Sequence, residues 1–505
     1  MAEKFIFYLK LGLRFAQKRR LEGVVLVSGA VVMVFELAAT RLLAPQLGTS
    51  LITWTSLIGV ILASLSLGYY LGGNLADKTA RQKVLGLILI VAAACFFIVL
   101  IISRPLLSGL EILKWPLQIK SLIAAIILCA APSVCLGMVS PYAVKLQLHD
   151  LDHAGHSVGR LYALSTVGSL AGTFSAGWWL IPTMGTRMIL VMLALCLFGL
   201  GAWLYFDYKL KTLPAGKWLI LAAVIIGAGW VAVRPVPGLT DVDTKYGRVW
   251  IYDGKYQAQP ARYMRIDSGY DSAMFLNSSD LVFDYTKYYR LAEFFNSGLD
   301  KALMIGGAAY SYPKDFLINY PRAELTVAEI DPEVTALAKK YFKLEETPRL
   351  IIKNQDGREF LNQTEEKYDA VMVDAFAASY AIPFQLTSAE AVQKIYNHLN
   401  PDGVVIMNVI SALDGPKSRL IQSEYATYKK IFPQVYLFGV QSATDKNLVQ
   451  NIILVASKNK IAPQWPSAGG PWQDYLSHRY LGNIKPAPIL TDDWAPTDYF
   501  VAKTF

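Results

Sequence analysis

Cysteine is scarce in this sequence: four in 505 residues, at positions 95, 129, 135 and 196, all inside apolar stretches with no paired spacing. The second half of the chain holds none, so neither a disulfide framework nor a Cys-based zinc site is available there. Charge is thin as well. Asp, Glu, Lys and Arg make up 17% of the chain and hydrophobic residues 54%, whereas soluble proteins carry about 25% charged residues. That balance excludes a disordered, collagen-like or wholly soluble chain. Histidine occurs five times. Three of these, His149, His153 and His156, share a polar stretch with Gly155 that reads as a solvated interhelical loop, and no metal is expected.

What is present is unevenly spread. Of 48 basic and 39 acidic residues, 20 and 8 lie in residues 1–234, which makes the first part strongly positive and the rest slightly negative. The pattern fits membrane-flanking charge better than a nucleic-acid surface, and Lys18-Arg19-Arg20 before the first apolar run fits it too. Seven stretches are long enough to span about 30 Å of hydrocarbon: 24–44, 51–73, 84–103, 121–143, 163–181, 187–206 and 217–234. Glycines four apart, as at Gly68 and Gly72 or Gly168 and Gly172, suit closely approaching helices. Glu36 falls near mid-bilayer depth in the first span, where an ionisable group faces other helices or a cavity. The positive-inside rule puts the N-terminus in the cytoplasm. Seven crossings would then leave the second half outside, so either one stretch does not cross or that half is extracytoplasmic.

After Pro235 and Pro237 the pattern turns to short β-type runs at 247–252, 262–267 and 272–277, read as a small antiparallel sheet. Strands and helices then alternate: strand 302–305, helix to 319, strand 324–330, helix 332–342, strands 350–353 and 370–373, helix 387–399 and strand 403–409. Such alternation predicts a parallel α/β sheet that binds ligands at the carboxyl ends of its strands. The first strand runs into Gly306-Gly307-Ala308-Ala309, where backbone can approach a ligand closely. The second ends in Glu329-Ile330-Asp331, placing a carboxylate where it can accept both hydrogen bonds of a ribose diol. The third and fourth lead to Asp356-Gly357 and Asp374-Ala375-Phe376. The glycine turn lacks the third glycine of G-x-G-x-x-G, which favours a nucleoside without pyrophosphate, such as S-adenosylmethionine or a relative.

Gly306-Gly307, Glu329-Ile330-Asp331-Pro332, Asp356-Gly357-Arg358, Val373-Asp374-Ala375-Phe376, Ile382-Pro383 and Leu386-Thr387 together resemble the signature of the spermidine synthases (polyamine aminopropyltransferases). The run Phe35-Glu36-Leu37 through Arg41-Leu42 to Gly48 is similar to multi-spanning membrane relatives of that family. The resemblance implies that Glu329 binds ribose, Asp356 and Gly357 meet the adenine, and Gly306, Gly307 and Ala308 follow the methionine-derived chain, with Asp331 beside them. Asp374 would lie next to the reacting sulfonium, and Asp271 and Tyr285 would shape the opposite wall. Two departures stand out. Ala309 occupies the position of an aspartate in the family's glycine loop, and Ala377 that of the aspartate that anchors the attacking amine. Losing two charge-assisted hydrogen bonds, about 1.5–3 kcal/mol each, weakens the case for a diamine.

The expectation is therefore an α-helical transmembrane bundle (1–234, about seven helices), a small antiparallel β-domain with its connection (235–297), and a Rossmann-like domain of methyltransferase or spermidine-synthase type (298–505). The leading activity is cleavage of the aminoalkyl C–S bond of S-adenosylmethionine or its decarboxylated form, releasing methylthioadenosine, with cyclisation to a lactone as one route. Aminopropyl transfer to putrescine, methyl transfer, and a non-catalytic nucleoside or polyamine sensor or transporter are the alternatives. No cofactor beyond the adenosyl substrate, no metal and no nucleic acid are expected. Membrane lipid and a second copy of the chain are candidate partners. A bacterial inner membrane with the second half in the cytoplasm is the expected location.

Overall fold

The structure is a computed structural model and describes residues 2–113, 115–148, 154–205, 237–267, 269–375, 382–465, 470 and 472–504; the side chains of residues 2–19, 270 and 271 are outside the description. Two compact units divide the chain, Met1–Pro235 and Val236–Phe505.

The first unit is helical: α1 (Ala2–Leu47), α2 (Leu51–Lys78), α3 (Gln82–Ile112), α4 (Leu117–Gln147), α5 (Ala154–Ser175) and α6 (Thr186–Tyr205), with a π-turn at Ala176–Leu180 after α5. Five described helices are long and apolar enough to cross a membrane: α1 from Arg20, then α2, α3, α4 and α6. Of the seven apolar stretches, five fall on these helices among the described residues. The stretch 163–181 belongs to α5, whose Gly, Ser and Thr content lowers its hydropathy, and 217–234 lies outside the described residues.

The helices pack in pairs, α2 on α4, α1 on α5 and α3 on α6. Small residues sit where backbones meet. A Cβ at Gly68 would stand 2.3 Å from the Val134 carbonyl oxygen, and one at Gly168 would stand 1.9 Å from that of Leu26. The cysteines are less scattered than their spacing suggests, because the Cys95 thiol on α3 meets that of Cys135 on α4.

The second unit opens with a four-stranded antiparallel meander: β1 (Leu239–Asp243), β2 (Arg248–Tyr256), β3 (Gln259–Ile266) and β4 (Gly269–Phe275). Short helical turns over 284–295 lead into a seven-stranded sheet. Its strands are β5 (Lys301–Ile305), β6 (Glu324–Ala328), β7 (Leu350–Lys353), β8 (Tyr368–Val373), β9 (Leu399–Ser411), β10 (Gln434–Gly439) and β11 (Gln450–Ser457). They run in the order β7-β6-β5-β8-β9-β11-β10, with β5 to β9 parallel and β11 and β10 antiparallel. The winding reverses between β5 and β8, the place where an open α/β sheet leaves a crevice at its carboxyl ends.

Both faces of this sheet are covered. Leu303 and Ile305 enter one apolar cluster with Val371, Val405 and Leu454, while Ala302 and Met304 enter the other with Met372, Ile406 and Ile453. A sheet buried on two sides needs apolar residues at every position rather than at alternate ones, which is why its central strands stand out in the sequence. Strands β1, β10 and β11 and the helix Gly357–Gln363 are additions to the expected elements.

Candidate functional site

A cavity of about 630 Å³ opens at the carboxyl ends of β5, β6 and β8 and is closed on one side by the meander and the turns over 284–295. Ser272 of β4 and Ser311, at the start of the helix after the glycine loop, hydrogen-bond at 2.9 Å, and Ser311 also donates to the Ala273 carbonyl at 2.9 Å. These bonds tie the two walls together.

The glycine loop is tightly shaped. Gly306 has φ +93°, and a Cβ there would stand 2.3 Å from the Asp374 carbonyl oxygen, so the loop passes directly over the end of β8. Ala308 and Tyr310 also adopt left-handed backbone, φ 44° and 55°, a conformation costing about 1–2 kcal/mol for a residue with a Cβ. The loop is held in that shape by Glu329. Its Oε2 accepts from the backbone N–H groups of Gly307 (2.8 Å) and Ala308 (3.0 Å), and its Oε1 from that of Asp331 (3.0 Å). Glu329 is 7% exposed. Burial pushes its carboxyl above the ordinary range, and the three backbone donors pull it back.

Asp331 and Asp356 serve the backbone too. Asp331 caps the helix Pro332–Tyr341, accepting from the Glu333 N–H at 2.9 Å, and Pro332 fits the first helical turn because it needs no donor there. Asp356 caps Gly357–Gln363 by accepting from Arg358 and Glu359 through Oδ1. Gly357 is required by space, since a Cβ would stand 2.4 Å from Ile305. All four residues line the cavity.

Asp374 differs. Its oxygens are met by side chains: Asn408 donates to Oδ1 at 3.3 Å and the Tyr285 hydroxyl to Oδ2 at 3.4 Å. The buried Tyr289 hydroxyl lies beside it without hydrogen-bond geometry. Burial raises the Asp374 carboxyl, and the contacts from Asn408, Tyr289 and Tyr285 offset part of that rise.

The structure thus brings Gly306, Gly307, Ala308, Glu329, Asp331, Asp356, Gly357, Asp374 and Tyr285 to one cavity. The backbone of Asp271 lies in β4, but its side chain is outside the described residues, as are Phe376 and Ala377. Ala309 is placed differently from the expected amine site. It is 0% exposed and packs with Val249, Ile251, Met264 and Phe342 in an apolar cluster below the loop. Among the lining residues that escaped the sequence reading are Asp267, Asp284, Asn408 and Asn451. The asparagines had a signal, a lone amide inside the apolar runs of β9 and β11. The aspartates had none, because they reach the cavity from loops of the β-domain side.

Six carboxylates line the cavity, those of Asp267, Asp284, Glu329, Asp331, Asp356 and Asp374; Asp284 is paired with Lys287 at 2.8 Å, and among the described lining residues there is no Lys, Arg or His. Such a wall attracts a cation and repels a free carboxylate.

Residues 289–462 match the family model of the spermine/spermidine synthase domain. The probable polyamine aminopropyl transferase of Bifidobacterium longum is 36% identical over 119 residues, 24% of this chain and 26% of that protein. The polyamine aminopropyltransferase of Vibrio vulnificus is 26% identical over 176 residues, and the chain spans 57% of its length. Polyamine aminopropyltransferase 1 of Streptomyces coelicolor is 25% identical over 424 residues, 78% of this chain and 76% of that one. A solved structure of a probable spermidine synthase from Corynebacterium glutamicum aligns with 53% of this chain and 94% of its own at 21% identity and a TM-score of 0.42. Residues 289–462 thus match the spermine/spermidine synthase domain, and over about three quarters of its length the chain is similar to polyamine aminopropyltransferases.

Proposed function

We propose that the cavity binds a decarboxylated adenosyl sulfonium and passes its aminopropyl group to a cationic amine, releasing methylthioadenosine. The ammonium first gives a proton to solvent or Asp374, and the free amine nitrogen attacks the carbon next to sulfur. The C–S bond breaks with its electron pair going to sulfur, which becomes the neutral thioether, and the product leaves as a secondary ammonium. The single observation that carries this reading is the wall of six carboxylates with no basic residue among the described lining. A sulfonium and an ammonium are both welcome there, while the carboxylate of S-adenosylmethionine would meet no cation. Glu329 and Asp356 keep lone pairs for ribose and adenine, and Gly306 to Ala308 leave room for the alkyl chain.

Asp374 supplies a negative charge beside the sulfonium and the incoming amine. An electrostatic partner of this kind acts most strongly when water is excluded. Asp271 and Tyr285 complete the opposite wall in this reading.

A second reading keeps S-adenosylmethionine itself, cleaved by its own carboxylate to a lactone and methylthioadenosine. Ala377, at the position of the aspartate that anchors the amine in the resemblance, favours it. Purified protein is incubated with S-adenosylmethionine or its decarboxylated form, each with and without putrescine, and products are read by mass. Methylthioadenosine with spermidine, dependent on putrescine and the decarboxylated donor, is expected. Lactone from S-adenosylmethionine alone would install the second reading, and S-adenosylhomocysteine would replace both with methyl transfer.

The second unit is assigned to the cytoplasm, where adenosyl donors are made. Adenosyl donors carry this assignment; among the described residues five helices are long and apolar enough to cross, and 217–234, outside the description, would make a sixth crossing and return the chain to the side of a cytoplasmic N-terminus. A bacterial inner membrane fits this topology. A fluorescent reporter after Phe505 that matures only in the cytoplasm tests it; activity of a periplasm-only reporter at the same site overturns it.

A further inference from the structure

The cavity wall contains a line of two amides that ends on Asp374. Asn408 interrupts the run Val404–Ile410 of β9, and it is 5% exposed. Asn451 stands on β11, which pairs antiparallel with β9 in a register that puts Asn451 opposite Ile410 and Asn408 opposite Ile453. The Asn451 Nδ2 donates to Asn408 Oδ1 at 3.0 Å, and Asn408 Nδ2 donates to Asp374 Oδ1 at 3.3 Å. Asn451 is itself anchored through its backbone, whose carbonyl accepts from the Val440 N–H at 3.0 Å.

A buried carboxamide has two orientations that differ only by exchanging oxygen for nitrogen. Here both neighbours favour one orientation: Asn451 donates to the Asn408 oxygen, and the acceptor-only Asp374 carboxylate takes the Asn408 N–H. Without that donor Asn408 can turn its oxygen toward the carboxylate, where two acceptors face each other.

We propose that Asn451 is a positioning residue for the reaction, acting through Asn408 to hold the Asp374 carboxylate ionised and aimed at the sulfonium. This rests on the function proposed above. The other titratable groups facing Asp374 are Tyr285 and Tyr289, both on the turns over 284–295. The hydrogen-bonded line from Asn451 to Asp374 runs through Asn408, and the double variant separates that route from the contact between β11 and the turn that carries Tyr285.

The test compares Asn451→Leu, Asn408→Leu, the double variant and Asn451→Gln in the full-length protein. The readouts are methylthioadenosine release from the decarboxylated donor across pH and methylthioadenosine affinity. Asn451→Leu is expected to lower kcat about tenfold, the scale of one hydrogen bond to a charged group, with KM for the donor changed by less than about twofold, since no uniform binding is removed. Its acid limb moves to higher pH because the neutral carboxyl is no longer opposed. Asn451→Gln restores part of the rate. In the Asn408→Leu background the Asn451 change costs nothing further, because the two act as one unit.

Additive effects, or an unchanged acid limb in an Asn451→Leu protein that still binds methylthioadenosine, overturn the proposal and leave the function standing. Wild-type protein that neither binds methylthioadenosine nor releases it removes both.

Discussion

The two ends of the cavity hold their carboxylates in different ways. At the β6 and β7 end, Glu329, Asp331 and Asp356 accept from backbone N–H groups at 2.8–3.0 Å. At the β8 end, Asp374 is reached among the described residues by side chains, at 3.3 and 3.4 Å. Backbone donors come with the fold and cannot be removed without moving it. Side-chain donors are longer and can be changed one at a time. The first arrangement suits a rigid mould for a nucleoside, the second a charge whose strength is tuned. A group that must change its interaction during a reaction belongs at the second end.

The largest expected effect is at Asp374. Asp374→Asn should lower kcat by about 10²–10³-fold, the range for removing one preorganised electrostatic partner, while methylthioadenosine, which lacks the sulfonium charge, binds as before. Equal losses in rate and in methylthioadenosine affinity would mean that Asp374 is part of the mould. In the wild type the acid limb of turnover should stand above the ordinary aspartate range. Burial raises the Asp374 carboxyl, so activity, which needs the ionised form, falls as pH drops through that raised value.

Glu329→Gln comes next. Its amide replaces one acceptor oxygen with a donor, so loop N–H groups lose a partner and the ribose loses a charged acceptor. Donor and methylthioadenosine affinity should both weaken by about 2–4 kcal/mol, measured by calorimetry. Weakening of the donor alone would move Glu329 into the reactive set.

Glu424 offers a contrast outside the cavity. It is 0% exposed on the helix Arg419–Ile431, and neither carboxylate oxygen has a hydrogen-bond partner. Burial holds this carboxyl well above the ordinary range. A raised carboxyl stabilises the fold below the unfolded chain's value, and that contribution disappears as pH rises through the folded one. Glu424→Gln should therefore match the wild type in stability at acid pH and exceed it by about 1–3 kcal/mol at pH 8, read by thermal unfolding. A constant offset across pH would place the effect in packing rather than charge.

The smallest effects test the mould itself. Asp356→Ala should cost about 1 kcal/mol of stability as a lost helix cap, with adenosyl affinity falling further if its second oxygen also serves the adenine. Ala308→Gly should stabilise by up to about 1 kcal/mol, because its φ of 44° suits glycine better. A destabilised Ala308→Gly protein would show that the Ala308 methyl packs usefully in the loop.

Much of this was open to reading in the chain. The buried parallel strands announce themselves as continuous apolar runs, and Gly306, Glu329, Asp356 and Asp374 follow them at strand ends where the α/β pattern places ligands. The meander was partly legible from its alternation, and β1 was not. Strands β10 and β11 lie at the antiparallel edge, beyond the regular strand–helix rhythm, so periodicity alone did not reach them. In the membrane half, 163–181 spends its positions on small residues, and Gly168 and Gly172 fit against α1.

The amino-acid sequence by itself determined the division into an apolar helical half and an α/β half, the order of the strand-end motifs and the family they resemble. These are patterns along the chain, carried by hydrophobic period and by the few residue types that tolerate a tight turn. Only the tertiary structure decided what each carboxylate touches. Glu329 and Asp356 are far apart in sequence from some of the groups around the same cavity, and whether an acid meets a backbone N–H, an asparagine or a cation depends on strand register and crossover. The same holds for Asn451, Asn408 and Asp374, which come from β11, β9 and the end of β8. Sheet pairing alone sets them in one line.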